Sequence, residues 1–190
     1  MATRSIALAL LLSIAMVVLT GCDSGGNGGS IVLNANSPVP PTVQYSFAYS
    51  SEDVDANGVV DVISNEADAL DDLFRQNGVS RSDVVRARVD SVELERQSTT
   101  GPTARPKVFP YLGGAEVFLG SDASGPRIAS SQFQTTNRTV NLSVTTADVT
   151  STVQQGSVPA FLRLTADTPG DIPLIERVRV TVFYTVEFNE

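Results

Sequence analysis

Val178, Val180, Val182, Tyr184, Val186 and Phe188 occupy every second position of one stretch, with Arg179, Thr181, Phe183, Thr185 and Glu187 between them. In a helix the six apolar side chains would scatter around the axis. In a strand they line one face. The stretch is therefore predicted as a strand with one buried and one mostly polar face. Any fold for this chain must supply an apolar surface to cover it.

The same alternation recurs in Val43, Tyr45, Phe47 and Tyr49, in Val140, Leu142 and Val144, and in Ala160, Leu162 and Leu164. Shorter apolar runs at 115–119 and 128–133 also read as strands. Turn signals fall between them, at Asn57-Gly58, Gly113-Gly114, Ser124-Gly125-Pro126, Gln155-Gly156 and Pro169-Gly170. Strands at this spacing predict a mainly β fold, an antiparallel β-sandwich with one short helix. That helix is expected over 65–77, where Ala67, Leu70, Leu73 and Phe74 form a helical stripe, with Asn65 to cap its start and Gly78 its end. Residues 148–155 fit a single further helical turn.

The stretch 84–96, VVRARVDSVELER, is ambiguous. Val85, Ala87 and Val89 fit one strand face, but Val92 and Leu94 fall on the opposite parity. A bulge near Asp90-Ser91 reconciles them. A helix through 81–96 is the competing reading, and the β-branched content favours the bulged strand.

Composition excludes more than it suggests. The chain has no histidine, no tryptophan and a single cysteine, and its formal net charge is -8. Its few arginines are scattered and Lys107 is its one lysine, so it lacks the basic patch that a phosphate backbone requires; nucleic acid is not expected as a partner. Without histidine or a second cysteine it cannot build the usual zinc sites, nor a Cys–His or Ser–His nucleophile.

That one cysteine lies in VVLTGCDSGGNGGS. Arg4, the apolar run 6–19 and the small residues after it have the three parts of a secretory signal, and the run is shorter than the about 20 residues needed to span a bilayer. Leu19-Thr20-Gly21-Cys22 resembles the lipobox of bacterial lipoproteins. The resemblance implies cleavage before Cys22, acylation of its sulfur and a membrane anchor. Residues 1–21 are then the signal peptide, and 22–41 the acylated cysteine and flexible tether. The Gly/Ser/Asn-rich 23–30 leads into an irregular 31–41 with Pro38, Pro40 and Pro41. The folded domain is expected over 42–190, long enough to bury a core without disulfides.

FAYSSEDVDANGVVDV, DALDDLFRQNG, VVRARVDSVELE and GGAEVFLG, with the alternating final strand, resemble a small β-sandwich domain of exported bacterial lipoproteins. That resemblance implies a fold and no activity.

One loop carries the pattern of a chemical site. Asp53, Asp55, Asn57 and Asp61, with Gly58 at the sharp turn, follow the start of a calcium loop, in which oxygen ligands alternate. Ser64 stands where such a loop has its bidentate glutamate, which Glu66 or Asp68 could replace only if the helix start folded back. The second reading is plainer and is favoured: Asn57-Gly58 as the turn of a hairpin between two alternating strands. Elsewhere, Asp71 and Asp72 suit a helix start, Phe109 and Tyr111 fit either a small apolar contact patch or core packing, and Asn137-Arg138-Thr139 is a chance sequon. No catalytic constellation stands out.

The chain is thus expected to be no enzyme but a non-catalytic structural or interaction module, lipid-anchored in the cell envelope at the outer membrane or cell surface. Its partners would be the membrane and an envelope protein or polysaccharide. The alternative is a calcium-supported, carbohydrate-binding sandwich.

Overall fold

A computed structural model of the chain describes residues 30–64, 69–97, 109, 111–133, 139–156, 158–172 and 175–189. The fold is mainly β, as expected, and its nine described strands are antiparallel. They are β1 (Ser30–Leu33), β2 (Thr42–Tyr49), β3 (Val59–Ile63), β4 (Val84–Arg96), β5 (Leu112–Leu119), β6 (Arg127–Gln132), β7 (Thr139–Val144), β8 (Ala160–Ala166) and β9 (Glu176–Asn189). Two helices, α1 (Ala69–Gln76) and α2 (Thr150–Gln154), interrupt them.

The strands form one continuous open path, β1-β9-β4-β7-β6-β5-β8-β3, with β2 also on β9. Strand β7 makes the corner. Its residues from Thr139 to Leu142 pair with β4, while Ser143 and Val144 pair with β6. The two halves of the path so face each other across a shared core, to which every strand contributes. A hydrogen bond crosses that core, from the Tyr45 hydroxyl on β2 to the Val158 carbonyl just before β8 (3.2 Å).

Strand β9 is the axis of the fold. Its alternating residues from Val178 to Phe188 are fully or almost fully buried, as the period-two pattern requires. On one side it pairs with β4, and on the other with β1 and β2 in succession: Leu33 sits opposite Val186 and Thr42 opposite Phe183. The expected irregular lead-in at 31–41 is corrected here. Ser30–Leu33 is an edge strand, Leu33 is buried, and only the excursion 34–41 leaves the sheet before Pro41 accepts a bond from Tyr184 N (2.8 Å). The prolines mark that excursion, where a missing N–H costs the sheet nothing.

Strand β4 carries the expected bulge. Val89 pairs with Tyr184 and Ser91 with Phe183, leaving Asp90 between them and returning Val92 and Leu94 to the core. A second bulge leaves Val85 out of register and exposed. The helical alternative for 81–96 is overturned: only a 3₁₀ turn, Arg81–Asp83, precedes the strand.

Helix α1 plugs one end of the core. Leu70, Leu73 and Phe74 are buried, and the Phe74 ring stands edge-on to Phe188 with centroids 5.2 Å apart. Burying each such side chain contributes about 1.5–3 kcal/mol. The helix ends as Gly78 takes a φ of 70°, with Gly78 N bonding the Arg75 carbonyl and Val79 N the Phe74 carbonyl, the paired closure that only a left-handed residue permits. The expected cap at Asn65 and the stripe residue Ala67 lie outside the described residues.

Two turn expectations are corrected. Gly113 and Gly114 lie inside β5, where Leu112 pairs with Ala166 and Gly114 with Thr165, so Gly113 is a bulge. The absence of a side chain matters there, because a Cβ on Gly113 would run into the Asp167 carboxylate. Nor do β2 and β3 form a hairpin across Asn57-Gly58: β2 pairs with β9 and β3 with β8. The turn is real but local, closing a single bridge between Val54 and Val60.

Candidate functional site

The acidic loop begins in a 3₁₀ turn, Ser51–Asp53, and ends in β3. Asp53 Oδ2 accepts from the Ser50 amide (2.7 Å) and the Ser50 hydroxyl (2.9 Å), closing a capping box. Asp55 Oδ1 accepts from the amides of Asn57 and Val59 (2.8 Å each), and its Oδ2 from the Asn57 side-chain amide (3.3 Å). The amide of Val59, then those of Asn57, hold the Asp55 carboxyl below the usual carboxylate range. Asp61 faces outward from β3, and both its oxygens are gripped by Arg163 on β8 at 2.8 Å.

Each of the four residues singled out by the sequence thus has a partner of its own. A calcium cage needs its oxygens turned towards one point, with lone pairs to spare. Here Asp53, Asp55 and Asp61 use theirs to cap a turn, to shape a turn and to cross-link two strands. Among the described residues no group of three or more His, Cys, Asp or Glu is arranged to hold a metal ion. Ser64 is buried, its amide bonded to the Ala160 carbonyl (2.8 Å). Glu66 and Asp68, the possible substitutes, lie outside the described residues, as do Cys22, Lys107, Asn137 and Arg138.

The most concentrated polar chemistry lies at the end of the sandwich opposite α1. Glu176, the first residue of β9, is fully buried. Arg96, the last residue of β4, donates to it through Nε and one terminal nitrogen, both at 2.8 Å. The Tyr111 hydroxyl, just before β5, donates to the same carboxylate. Tyr49 ends β2 directly opposite Glu176 and is also buried. Burial, followed by the neighbouring Tyr111 and Glu176, pushes the Tyr49 hydroxyl well above the tyrosine range; burial and the bond to Glu176 do the same for Tyr111. Arg96 is pushed up by its bond to Glu176.

The carboxylate of this cluster is saturated, while the buried Tyr49 hydroxyl has no hydrogen-bond partner among the described residues. The carboxylate receives three donors and both phenols are held neutral, so it offers neither a base nor an open anion seat. It latches β4, β9 and the start of β5 together. The sequence signal was present: Glu176 and Arg96 have the parity of Val178 and Leu94, which marks both as inward-facing. Tyr111 and Phe109 are both buried, and Phe109 stacks on Phe133 with ring centroids 5.2 Å apart.

Beside the latch an open groove of about 680 Å³ runs over β5 and β6, lined by Gly113, Gly114, Glu116, Ser130, Gln132 and Asp167. Glu116 is paired with Arg127 across the strands. The groove is polar and shallow, and none of these residues is a strong nucleophile.

No protein-family model matches the chain, and no curated protein matches it.

Proposed function

We propose that the chain is a lipid-anchored lipoprotein of the cell envelope, acylated at Cys22, whose β-sandwich is a non-catalytic structural or interaction module. The observation that carries this reading is Leu19-Thr20-Gly21-Cys22 directly after the apolar run 6–19. Two features agree with it. The sheet starts at Ser30, eight positions beyond Cys22, so a short spacer separates the acylated residue from an ordered domain. The one fully buried charge among the described residues, Glu176, is held by Arg96 and is spent on joining strands. The test is incorporation of a fatty-acid probe in growing cells, comparing wild type with Cys22→Ala. Label is expected in the wild type alone. Equal labelling of the two, or none in either, overturns the anchor.

A further inference from the structure

We infer that the end of the sandwich where Ser30 enters is a membrane-docking surface, seated on the headgroups of the bilayer that holds Cys22; this rests on the acylation proposed above. Ser30 pairs with Asn189, the last residue of β9. Val84, which opens β4, pairs with Phe188, and α1 packs on Phe188 through Phe74. The β1 start, the β4 start and α1 therefore share one end.

Reach decides which end can touch the bilayer. Eight residues from Cys22 to Ser30 span at most about 28 Å when fully extended. A Gly/Ser-rich sequence of that length has a root-mean-square span of about 16 Å. The 14 residues of β9 run about 46 Å at strand rise. The far end, with Glu176 and Ile175, cannot stand on the lipid while Ser30 remains tethered. The near end can.

The near end also has the apolar surface such a seat needs. Six large hydrophobic residues are exposed among those described, and three of them lie here: Ile31 (36%), Val32 (43%) and Val85 (48%). The extra bulge in β4 is what turns Val85 outward. At this end Arg75 pairs with Asp72 and Arg81 with Asp71, while Arg86 lies in register with Glu187. Attraction is therefore apolar, with little preference for anionic lipid. A few half-exposed side chains suffice, because a short tether holds the surface near the bilayer at an effective concentration of order millimolar.

The chain has no tryptophan, so single tryptophans report depth cleanly. The mature chain from Cys22, its one thiol coupled to a maleimide phospholipid, is placed on phosphatidylcholine vesicles with brominated acyl chains. Fluorescence is expected to be lost in Val85→Trp and Val32→Trp and retained in Ile175→Trp, unchanged by salt or by added phosphatidylglycerol. Adding Ile31→Ser and Val32→Ser to Val85→Trp should restore its fluorescence. Equal quenching at all three positions, no quenching at any, or indifference to the serines overturns the surface. So does a dimer of the uncoupled chain that the same serines disperse, which would make a second copy the occupant. Coupling in vitro replaces acylation in cells, so a failure of docking leaves the Cys22 labelling result standing. Absence of label in cells overturns the anchor whatever the vesicles show.

Discussion

Arg96 and Arg163 each hold a carboxylate with two nitrogens at 2.8 Å, and their surroundings differ sharply. Arg96 closes on Glu176 at the end of the sandwich remote from α1, where the carboxylate is 0% exposed. Arg163 closes on Asp61 on the outer surface of β3 and β8, where the carboxylate is 41% exposed. The lesson is that the geometry of an ion pair does not fix its weight. An exposed pair trades one good solvation for another and contributes about 0–1 kcal/mol. A buried pair has given up its water, so removing one partner strands the other and costs about 3–5 kcal/mol.

The largest expected effect is at Glu176. Glu176→Gln keeps the size and two hydrogen-bonding groups but removes the counter-charge of Arg96. Because Arg96 retains some exposure, the loss should sit near the lower limit, about 3 kcal/mol. In a domain of this length that lowers Tm by about 6–12 °C in a calorimetric or circular-dichroism melt. The triple variant Arg96→Met, Tyr111→Phe, Glu176→Leu should recover most of the loss, because it removes the ion pair and the hydroxyl bonded to it, leaving of the latch only the Tyr49 hydroxyl, which has no hydrogen bond to lose. A triple variant as unstable as Glu176→Gln would break the comparison, by showing that the pair does more than satisfy itself.

Alkali sharpens the same contrast. Tyr49, Tyr111 and Tyr184 are all raised above the ordinary 10.0, chiefly by burial. An unfolded chain releases those protons near 10.0, and the native chain keeps them. Native tyrosines therefore bind more protons than unfolded ones above that value, and stability falls as pH rises past it. The contribution is fully present below 10.0. The four tyrosines of the chain are all buried. Phenolate absorbance should accordingly stay absent past pH 10.0 and then appear in one step together with loss of the β signal. A gradual tyrosine titration with the fold intact would contradict the buried latch.

How far this could be read in the sequence depended on the kind of pattern involved. Period two is strong and local, so β9, β2, β7 and β8 were legible, and the parity change in β4 located the bulge at Asp90. The bulge at Val85 was not legible: its parity grouped Val85 with Ala87 and Val89, and only the register on β9 shows that Val84 faces the core in its place. Gly113-Gly114 read as a turn, since nothing local reveals that the Asp167 carboxylate lies over Gly113. The hairpin at Asn57-Gly58 failed for a different reason. The turn chemistry is local and correct, but strand partners are chosen by the core, which sends β2 to β9 and β3 to β8. The latch was half legible: parity turned Glu176 and Arg96 inward, while their meeting needed the register of β4 on β9.

Asp61→Asn is the matched control for Glu176→Gln and should cost no more than about 1 kcal/mol, or about 2–4 °C in Tm. It should also lose most of that effect at high salt, since ions screen exposed charges. Equal costs at Asp61 and Glu176 would mean that bidentate geometry, rather than burial, sets the value of both pairs.

The smallest expected effect is that of calcium, and it follows from where the loop's oxygens already point. A ligand bound only by the native state adds RT ln(1 + [L]/Kd), about 2.7 kcal/mol at a hundredfold excess over Kd. In this domain that would raise Tm by several degrees. To bind, calcium would have to draw Asp53 from Ser50, Asp55 from the amides of Asn57 and Val59, and Asp61 from Arg163. Each release forfeits a bond that caps a turn or joins two strands. The expected shift is thus no larger with calcium than with matched magnesium. The variant Asp53→Asn with Asp55→Asn gives the control, and it must be read as a difference with and without the ion. Losing those caps lowers Tm by itself, since a cap is typically worth about 1 kcal/mol. A calcium-specific rise in the wild type that vanishes in this variant would mean that the loop rearranges around the ion. The acidic loop would then be a switchable site, no longer the outward-facing counterpart of the latch.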